Sequence, residues 1–290
     1  MKLIQNSLLK KLSLLSFFKS NRDLKTLTQF KPSLIIISGG NWLTIYNRTF
    51  FEGIKAALPE VQIVLLNGMS PNYYKVTIEK RIFPFIDRFY TNDILHAQEW
   101  MGFGAKSAKM LPVSAIYPQT NSTELERKID AAFVGSFYED RHQIFEYLKQ
   151  NGVDIKVWGS INQKIPTDSL FWSFYQGLAN ATEIDAIYSS SKIGINTHSV
   201  TMPHGGNLRT FEIPLSGCLQ MVDTFDRSWF IENQEIVIFE NKEELLKKVR
   251  FYLDNNELRE KIAEAGKKRV LISHTYKNRM ETIINESKLY

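Results

Sequence analysis

The sequence of 290 residues predicts an α/β protein made of two domains, each a parallel β-sheet with helices on its faces. Three observations lead to this prediction. Short continuous apolar runs, such as Leu34–Ile37 and Ala131–Val134, are typical of strands that are buried on both faces of a parallel sheet. Stretches of helical periodicity alternate with these runs. A polar stretch over residues 117–126 separates the two sets and has the composition of a linker.

The first half begins with helices. An amphipathic helix over Met1–Ser20 precedes a shorter one over Asn21–Phe30, which Pro32 ends. The glycine pair after the first strand, Gly39-Gly40, predicts a sharp turn but does not match the Gly-x-Gly-x-x-Gly pattern of dinucleotide sites. The apolar runs and periodic stretches place strands at residues 34–38, 61–66, 88–90 and 109–111 and helices at residues 49–58 and 93–101. We therefore assign residues 1–30 to N-terminal helices and residues 31–125 to a first Rossmann-like domain.

A second alternation starts after the linker. Its strands are predicted at residues 131–134, 153–157, 193–196, 218–222 and 235–238, and its helices at residues 140–151, 183–191, 208–215 and from 242 to the end. This pattern predicts a second Rossmann-like domain over residues 126–275.

Composition limits the function. The net charge of +5 is spread evenly, which indicates either surface lysines or affinity for an anion such as a nucleotide diphosphate. No basic stripe or RNA motif occurs, so nucleic acid is not an expected partner. The single cysteine, Cys218, excludes an internal disulfide and fits a cytoplasmic protein. The Lys- and Leu-rich segment Met1–Ser20 is either a helix packed on its own domain or a peripheral contact with an anionic membrane face.

The first candidate site is the turn that joins a strand to a helix at residues 134–141. Gly135 lets the backbone turn, and the helix start that follows is suited to a phosphate. Arg141 has the fork geometry for a bidentate phosphate contact, or it is a solvated arginine in the first helical turn.

The second candidate site follows another buried strand and includes Gly205-Gly206 and the pair Arg209 and Glu212. The glycines permit a backbone to approach a ligand closely. The two oxygens of Glu212 suit a vicinal diol such as a ribose. Alternatively, Arg209 and Glu212 form an ordinary helical ion pair.

These motifs resemble those of the GT-B glycosyltransferases, and more narrowly the group 1 transferases of the spore-maturation (CgeB-like) type. The resemblance covers residues 131–280. Its first motif is Arg209-x-Phe211-Glu212, followed by Gly217 and Asp223, and its second is Phe133-Val134-Gly135-Ser136-x-Tyr138-x-x-Arg141. Residues 191–196 and a tail that includes His274-Thr275-Tyr276 also match.

The resemblance implies two Rossmann-like domains that face each other across a cleft. It also implies a nucleotide-diphosphate sugar as donor substrate, no tightly bound cofactor and no metal. It implies that Glu212 holds the ribose, and that a last helix over residues 276–290 crosses back to the first, acceptor-side domain. The expected nucleotide-sugar-binding residues are Gly135, Ser136, Tyr138, Arg141, Trp158, Gly159, Asn196, His198, His204, Gly205, Gly206, Asn207, Arg209, Phe211 and Glu212.

The sequence departs from this family at two places. His204 stands where many retaining relatives carry a glutamate, and the usual opening strand and glycine turn of the first domain are missing, so that domain is predicted to be shortened. His204 and His198 are the predicted catalytic residues, with Asp93 as a further candidate base. The predicted acceptor is a saccharide, a lipid-linked glycan or a protein. Two alternatives stay open, namely a GT-B-shaped nucleotide-sugar epimerase and a nucleotide-sugar-binding protein without catalysis.

Overall fold

The computed structural model describes residues 19–38, 45–66, 70–73, 80–115, 126–199 and 202–287. These residues form two compact units. The first holds the described residues up to Pro112 together with those from Glu281 onward, and the second spans Val113–Met280. The predicted helix over Met1–Ser20 and the polar linker lie outside the described residues except for residues 19, 20 and 126, and so does the turn at Gly39-Gly40.

The first unit is built on a four-stranded parallel sheet whose spatial order equals its chain order. The strands are β1 (Leu34–Ser38), β2 (Gln62–Leu66), β3 (Arg88–Thr91) and β4 (Ala108–Met110). The helices are α1 (19–30), α2 (Arg48–Ala57) and α3 (Ile94–Phe103), and short 3-10 turns lie at Pro71–Tyr73 and Lys80–Phe85.

The helices of this unit begin at polar caps and bury aromatic faces. The side chain of Asn47 accepts a hydrogen bond from the amide of Phe50 at the start of α2, and Asp93 does the same for Leu95 at the start of α3. Trp100 of α3 is fully buried and stacks on Phe89 of β3, with 4.7 Å between ring centroids.

The second unit contains a five-stranded parallel sheet in the order β6-β5-β7-β8-β9. Its strands are β5 (Ile129–Val134), β6 (Ile155–Trp158), β7 (Ser191–Asn196), β8 (Leu219–Val222) and β9 (Val237–Ile238). Its helices are α4 (His142–Gln150), α5 (Ala181–Ser189), α6 (Arg209–Leu215), α7 (Lys242–Asp254), α8 (Asn256–Ser273) and α9 (Tyr276–Glu286), and a 3-10 turn lies at Leu170–Ser173.

Burial explains the strand assignments of this unit. All four residues of β8 are buried, and its neighbour Cys218 is fully buried as well. Burial raises the pKa of the Cys218 thiol to about 12, so this thiol stays protonated at neutral pH. The strand predicted over residues 218–222 begins one residue later, at Leu219, and Cys218 is buried directly before it.

Helix α9 starts in the second unit, and its residues from Glu281 onward belong to the first. In the first unit the Glu286 carboxylate accepts hydrogen bonds from Arg88 Nη1 at 2.7 Å and from the Tyr90 hydroxyl at 2.8 Å. Lys109 Nζ lies 3.1 Å from the same carboxylate. Among the helices that the structure describes, none combines the length and the apolar content needed to cross a bilayer.

Candidate functional site

The strand order of the second unit creates a switch point between β5 and β7. The chain leaves β5 through α4 to reach β6 on one side, and it later reaches β7 on the other side of β5. The loops that follow β5 and β7 therefore start side by side at the carboxyl edge of the sheet and run in opposite directions. Ligands of open α/β sheets bind at such an edge. The two segments that contain the predicted site residues, residues 134–141 and the described residues between 196 and 212, follow these strands and lie there.

Two glycines bring the ends of β5 and β6 into contact. The amide of Gly135 donates to the carbonyl of Trp158 over 2.9 Å. Gly159 has φ +143°, and a Cβ at this position would lie 1.8 Å from the carbonyl oxygen of Gly135. The Tyr175 hydroxyl donates a hydrogen bond to the carbonyl of Gly159 at 2.8 Å and so stabilises the turn. Only glycine fits at position 159, because both its φ and its contact exclude a side chain.

Arg141 is turned into its own loop. Its side chain donates to the carbonyl of Ser136 at 2.9 Å and to the hydroxyl of Tyr138 at 2.6 Å. The guanidinium carbon lies 4.1 Å from the centroid of the Tyr138 ring, and the residue is only 7% exposed. Arg141 thus shapes the turn, and the bidentate phosphate contact expected from the sequence would require it to leave these partners.

The same turn contains strained backbone. Glu139 and Asp140 have φ of +53° and +56°, in the left-handed region that side chains disfavour. The amide of Asp140 donates to Gln163 Oε1 at 2.9 Å, and the Gln163 amide lies 2.8 Å from Nδ1 of His142. Strain of this kind is found most often at functional sites. No motif in the sequence indicated the contribution of Gln163.

Beneath the loop after β7 lies a network of buried polar side chains. Asn196 Nδ2 donates to Thr210 Oγ1 at 3.2 Å, and Asn196 Oδ1 accepts from Asn207 Nδ2 at 2.8 Å. Gln220 of β8 donates to the carbonyl of Thr210 at 3.2 Å. Asn196 is 1% exposed. Asn196 and Asn207 therefore hold the loop to the start of α6, because buried polar groups are stable only when bonded.

His198 is held by an aspartate. Its backbone amide and its Nδ1 each lie 2.8 Å from a different oxygen of the Asp223 carboxylate. Its Nε2 lies 3.4 Å from Thr210 Oγ1, and its side chain is 2% exposed. The neighbouring Thr197 hydroxyl is buried and has no hydrogen-bond partner among the described residues. No role was predicted for Asp223 from the sequence. Its position, an acid directly after a buried strand, was the signal that could have identified it.

Arg209 joins the two loops. Its Nε donates to the carbonyl of Val134 at the end of β5, over 2.9 Å, and its Nη1 donates to Oε2 of Glu212. The helical ion pair that the sequence allowed is present, with side chains 19% and 20% exposed. The sequence did not indicate the hydrogen bond from Arg209 to Val134. Through this bond Glu212, the partner of Arg209, lies beside the glycine turn.

The remaining predicted residues differ in exposure. His204 is exposed, whereas Gly205 and Gly206 are buried. A Cβ at Gly206 would lie 2.5 Å from the Trp229 ring, so this glycine permits the loop to pack on that ring. Phe211 is fully buried, 5.4 Å from Trp229 between ring centroids. We therefore assign Phe211 a packing role in place of the predicted ligand contact.

The edge thus presents a carboxylate, hydroxyls and an imidazole around a glycine turn. The carboxylate can accept hydrogen bonds from hydroxyl groups, whereas the hydroxyls and the imidazole can donate to a phosphate. Within the described ranges, no group of three or more His, Cys, Asp or Glu side chains is placed to hold a metal ion.

Comparison with known proteins finds a matching family. A model of the family described as "Glycosyl transferase-like" matches residues 141–285, half of the chain. The matched stretch contains Arg141, the loop after β7 and Glu212. None of the curated proteins matches the sequence.

Several solved structures share the fold. HepE from Anabaena, in complex with UDP-glucose, has a TM-score of 0.62 at 10% identity, over 92% of this chain and 82% of its own. Sucrose-phosphate synthase from Thermosynechococcus elongatus has a TM-score of 0.60 at 10% identity, over 96% and 79%. A glycosyltransferase from Rickettsia africae has a TM-score of 0.61 at 11% identity, over 95% and 81%. These likenesses confirm the predicted α/β fold class of the GT-B type.

Proposed function

Because this chain belongs to the glycosyl transferase-like family, we propose that it transfers a sugar from a nucleotide-diphosphate sugar to a saccharide, a lipid-linked glycan or a protein. The observation that carries the proposal is the bond from Arg209 to Val134 at the switch point. It brings a carboxylate on α6 next to the glycine turn after β5, so that one ligand can contact both. The narrower resemblance to spore-maturation transferases is part of the same proposal.

In this proposal Glu212 accepts hydrogen bonds from the ribose hydroxyls, since a carboxylate can bind both members of a diol. Trp158 and Gly159 border the base. Gly135 and Ser136 lie near the diphosphate, within the turn that Arg141 shapes. The Thr197 hydroxyl, which has no partner in the described part of the chain, supports a ligand at this edge, because buried hydroxyls are normally bonded.

The structural neighbours support the choice of donor. HepE was solved with UDP-glucose and also with UDP. A uridine nucleotide is therefore the first donor to test. The first unit is proposed to bind the acceptor, and residues 1–20 remain the proposed contact with a membrane face on the cytoplasmic side.

The two predicted catalytic histidines are proposed to act differently. His204 is exposed beside Gly205 and is suited to contact the donor sugar or its phosphate. His198 is enclosed by Asp223 and Thr210, so we propose that it orients the loop. Transfer is proposed to be metal-independent, with protein dipoles and cations stabilising the departing diphosphate. Addition of EDTA is then expected to leave the transfer rate unchanged, and a loss of rate that Mg²⁺ or Mn²⁺ restores would contradict this part.

The donor site is tested by replacing Glu212 with alanine. We expect the affinity for the best-binding nucleoside diphosphate to fall by about 1–3 kcal/mol, the scale of a lost hydrogen bond to a charged group. Isothermal titration calorimetry over a panel of nucleoside diphosphates measures it. The Arg209 side chain keeps its bond to Val134 in this variant, which favours retention of the fold.

Glu244→Ala is the matched control, because Glu244 also forms an ion pair along one helix, with Lys248 at 2.7 Å. It should leave the affinity unchanged. Equal affinity of Glu212→Ala and the unchanged protein for every diphosphate would refute the assignment of the ribose site. Nucleotide binding without transfer or hydrolysis of any tested sugar donor would instead favour a binding protein.

A further inference from the structure

His274 lies at the junction of α8 and α9 and has no role in the donor site described above. It is 7% exposed. Its Nε2 lies 3.1 Å from the carbonyl oxygen of Trp229, and its Nδ1 lies 2.9 Å from Nη2 of Arg279. Its own carbonyl accepts a hydrogen bond from the Ser114 hydroxyl. The imidazole is therefore fixed on both ring nitrogens.

The partners determine which nitrogen carries the proton. The guanidinium of Arg279 has only donors, so Nδ1 of His274 must accept. Nε2 must then carry the hydrogen and donate to the carbonyl of Trp229. Burial disfavours a second proton on the ring, and that proton would also face Arg279. Together they lower the pKa of His274 to about 4, so the ring is neutral at physiological pH.

The ring of His274 also packs on α6. It stacks on Phe211, with 5.0 Å between ring centroids and 27° between planes, and on Phe230 at 5.5 Å. The guanidinium of Arg279 lies 5.5 Å from the centroid of the Phe211 ring. Phe211 directly precedes Glu212, which binds Arg209. The junction of α8 and α9 thus forms part of the support beneath α6.

The bond to Trp229 extends this support to the glycine loop. The Trp229 ring touches Gly206 closely enough that a Cβ there would lie 2.5 Å away, and it packs on Phe211 at 5.4 Å. His274 therefore contacts Phe211 of α6 and the main chain of Trp229, whose ring packs on Gly206 in the loop after β7. Both α6 and this loop contain residues of the proposed donor site.

We propose that His274, held by Arg279, is a positioning residue that fixes α6 and the Gly205-Gly206 loop in the arrangement that binds the donor. This inference rests on the proposed function of that edge. It requires no contact between His274 and the ligand. Loss of the His274 hydrogen bonds should make residues 203–215 more mobile and weaken nucleotide binding. If His274 were purely structural, the same loss would only lower the free energy of unfolding.

His274→Phe tests the proposal, because phenylalanine keeps a ring for stacking and removes both hydrogen bonds. We expect the dissociation constant for uridine diphosphate to rise by about threefold to tenfold, the range that corresponds to one net hydrogen bond. Amide hydrogen exchange over residues 203–215, followed by mass spectrometry, should become faster by a similar factor. Arg279→Met is expected to have the same two effects.

Arg259→Met is the matched control. Arg259 is also a buried arginine that donates to a main-chain carbonyl, that of Tyr252 at 2.9 Å, but its partners lie near the start of α8. This variant should lower the melting temperature without faster exchange over residues 203–215. If Arg259→Met and His274→Phe change that exchange equally, or if His274→Phe changes neither exchange nor affinity, the positioning role is refuted.

The two readouts separate this inference from the proposed function. If the unchanged protein binds no nucleotide, the proposed function fails, while the exchange of residues 203–215 still decides whether His274 holds α6. If the unchanged protein binds uridine diphosphate and exchange responds without any change in affinity, His274 supports α6 but not the donor site, and the proposal is overturned.

Discussion

Replacing Gly159 with alanine is expected to disrupt the carboxyl edge of the sheet in the second unit, where the proposed nucleotide site lies. Two separate effects contribute. The φ of +143° at this position is strained for any residue with a Cβ, which costs about 1–2 kcal/mol. The added Cβ would also lie 1.8 Å from the carbonyl oxygen of Gly135, whereas real Cβ contacts stay beyond 3.0 Å. The backbone at Gly135 must therefore retreat by about 1.2 Å, and such overpacking costs about 2 kcal/mol more.

The total expected loss in the free energy of unfolding is thus about 3–4 kcal/mol, which is less than the total stability of about 5–15 kcal/mol typical of folded domains. Urea denaturation measures this loss. Gly152→Ala is the matched control, because Gly152 has φ +85° and a Cβ added there would meet no atom of the described residues within 4 Å. It carries only the backbone effect, about 1 kcal/mol.

Nucleotide affinity supplies a second measurement. Because Gly135 must move in Gly159→Ala, this variant should bind uridine diphosphate at least tenfold more weakly, equivalent to about 1.4 kcal/mol. Gly152→Ala should bind it normally. If both variants lose the same stability within about 0.5 kcal/mol, the close approach of Gly135 and Gly159 cannot be the reason that position 159 is a glycine.

Three further perturbations test other parts of the structure by urea denaturation. The pKa of His274 is about 4 in the folded protein and about 6.5 in the unfolded chain, so the unfolded chain binds the extra proton first as the pH falls. The free energy of unfolding should therefore fall by about 3 kcal/mol from pH 6.5 to 4. The variant His274→Phe should lack this pH-dependent part of the loss. Asn180→Ala removes the capping box with Glu183 at the start of α5 and should cost about 1 kcal/mol. Glu286→Gln weakens the ion pairs with Arg88 and Lys109 and should lower the free energy of unfolding by up to about 1 kcal/mol. This loss should be smaller in 1 M salt.

Each of these has a clear contrary result. Parallel pH profiles of the unchanged protein and His274→Phe would show that the histidine is not buried in its neutral form. A stability of Asn180→Ala equal to that of the unchanged protein would mean that α5 does not depend on its cap. A loss in Glu286→Gln that is unchanged in 1 M salt would point to packing as the cause, since at least the pair with the half-exposed Lys109 is screened by salt.

Much of the fold was predictable from the sequence. The predicted strand over residues 61–66 corresponds to Gln62–Leu66, and the predicted helix over residues 208–215 corresponds to Arg209–Leu215. Buried parallel strands are continuous apolar runs, so local composition alone identifies them. The 3-10 turns at Lys80–Phe85 and Leu170–Ser173 were not predicted, because elements of this length are too short to show a periodic pattern.

The candidate site was predictable in its location but not in its contacts. The glycine turn after β5 and the segment ending at Glu212 each follow a buried strand, so both belong at the carboxyl edge of a parallel sheet. That they are neighbours depends on the order β6-β5-β7, which the alternation of strands and helices does not specify. The inward orientation of Arg141 and the burial of Phe211 likewise depend on packing partners that the local pattern does not identify.

The α/β class, the strands and the residue types at the carboxyl edge of the second sheet follow from the amino-acid order alone, because hydrophobic periodicity and glycine turns are local properties of the chain. Which of those residues face a ligand and which support the site depends on long-range packing. Arg209 meets Val134, His198 meets Asp223, and Gly159 meets Gly135, in each case across more than twenty residues. Such contacts form only when the strand order is set, since they join loops that the sheet places side by side.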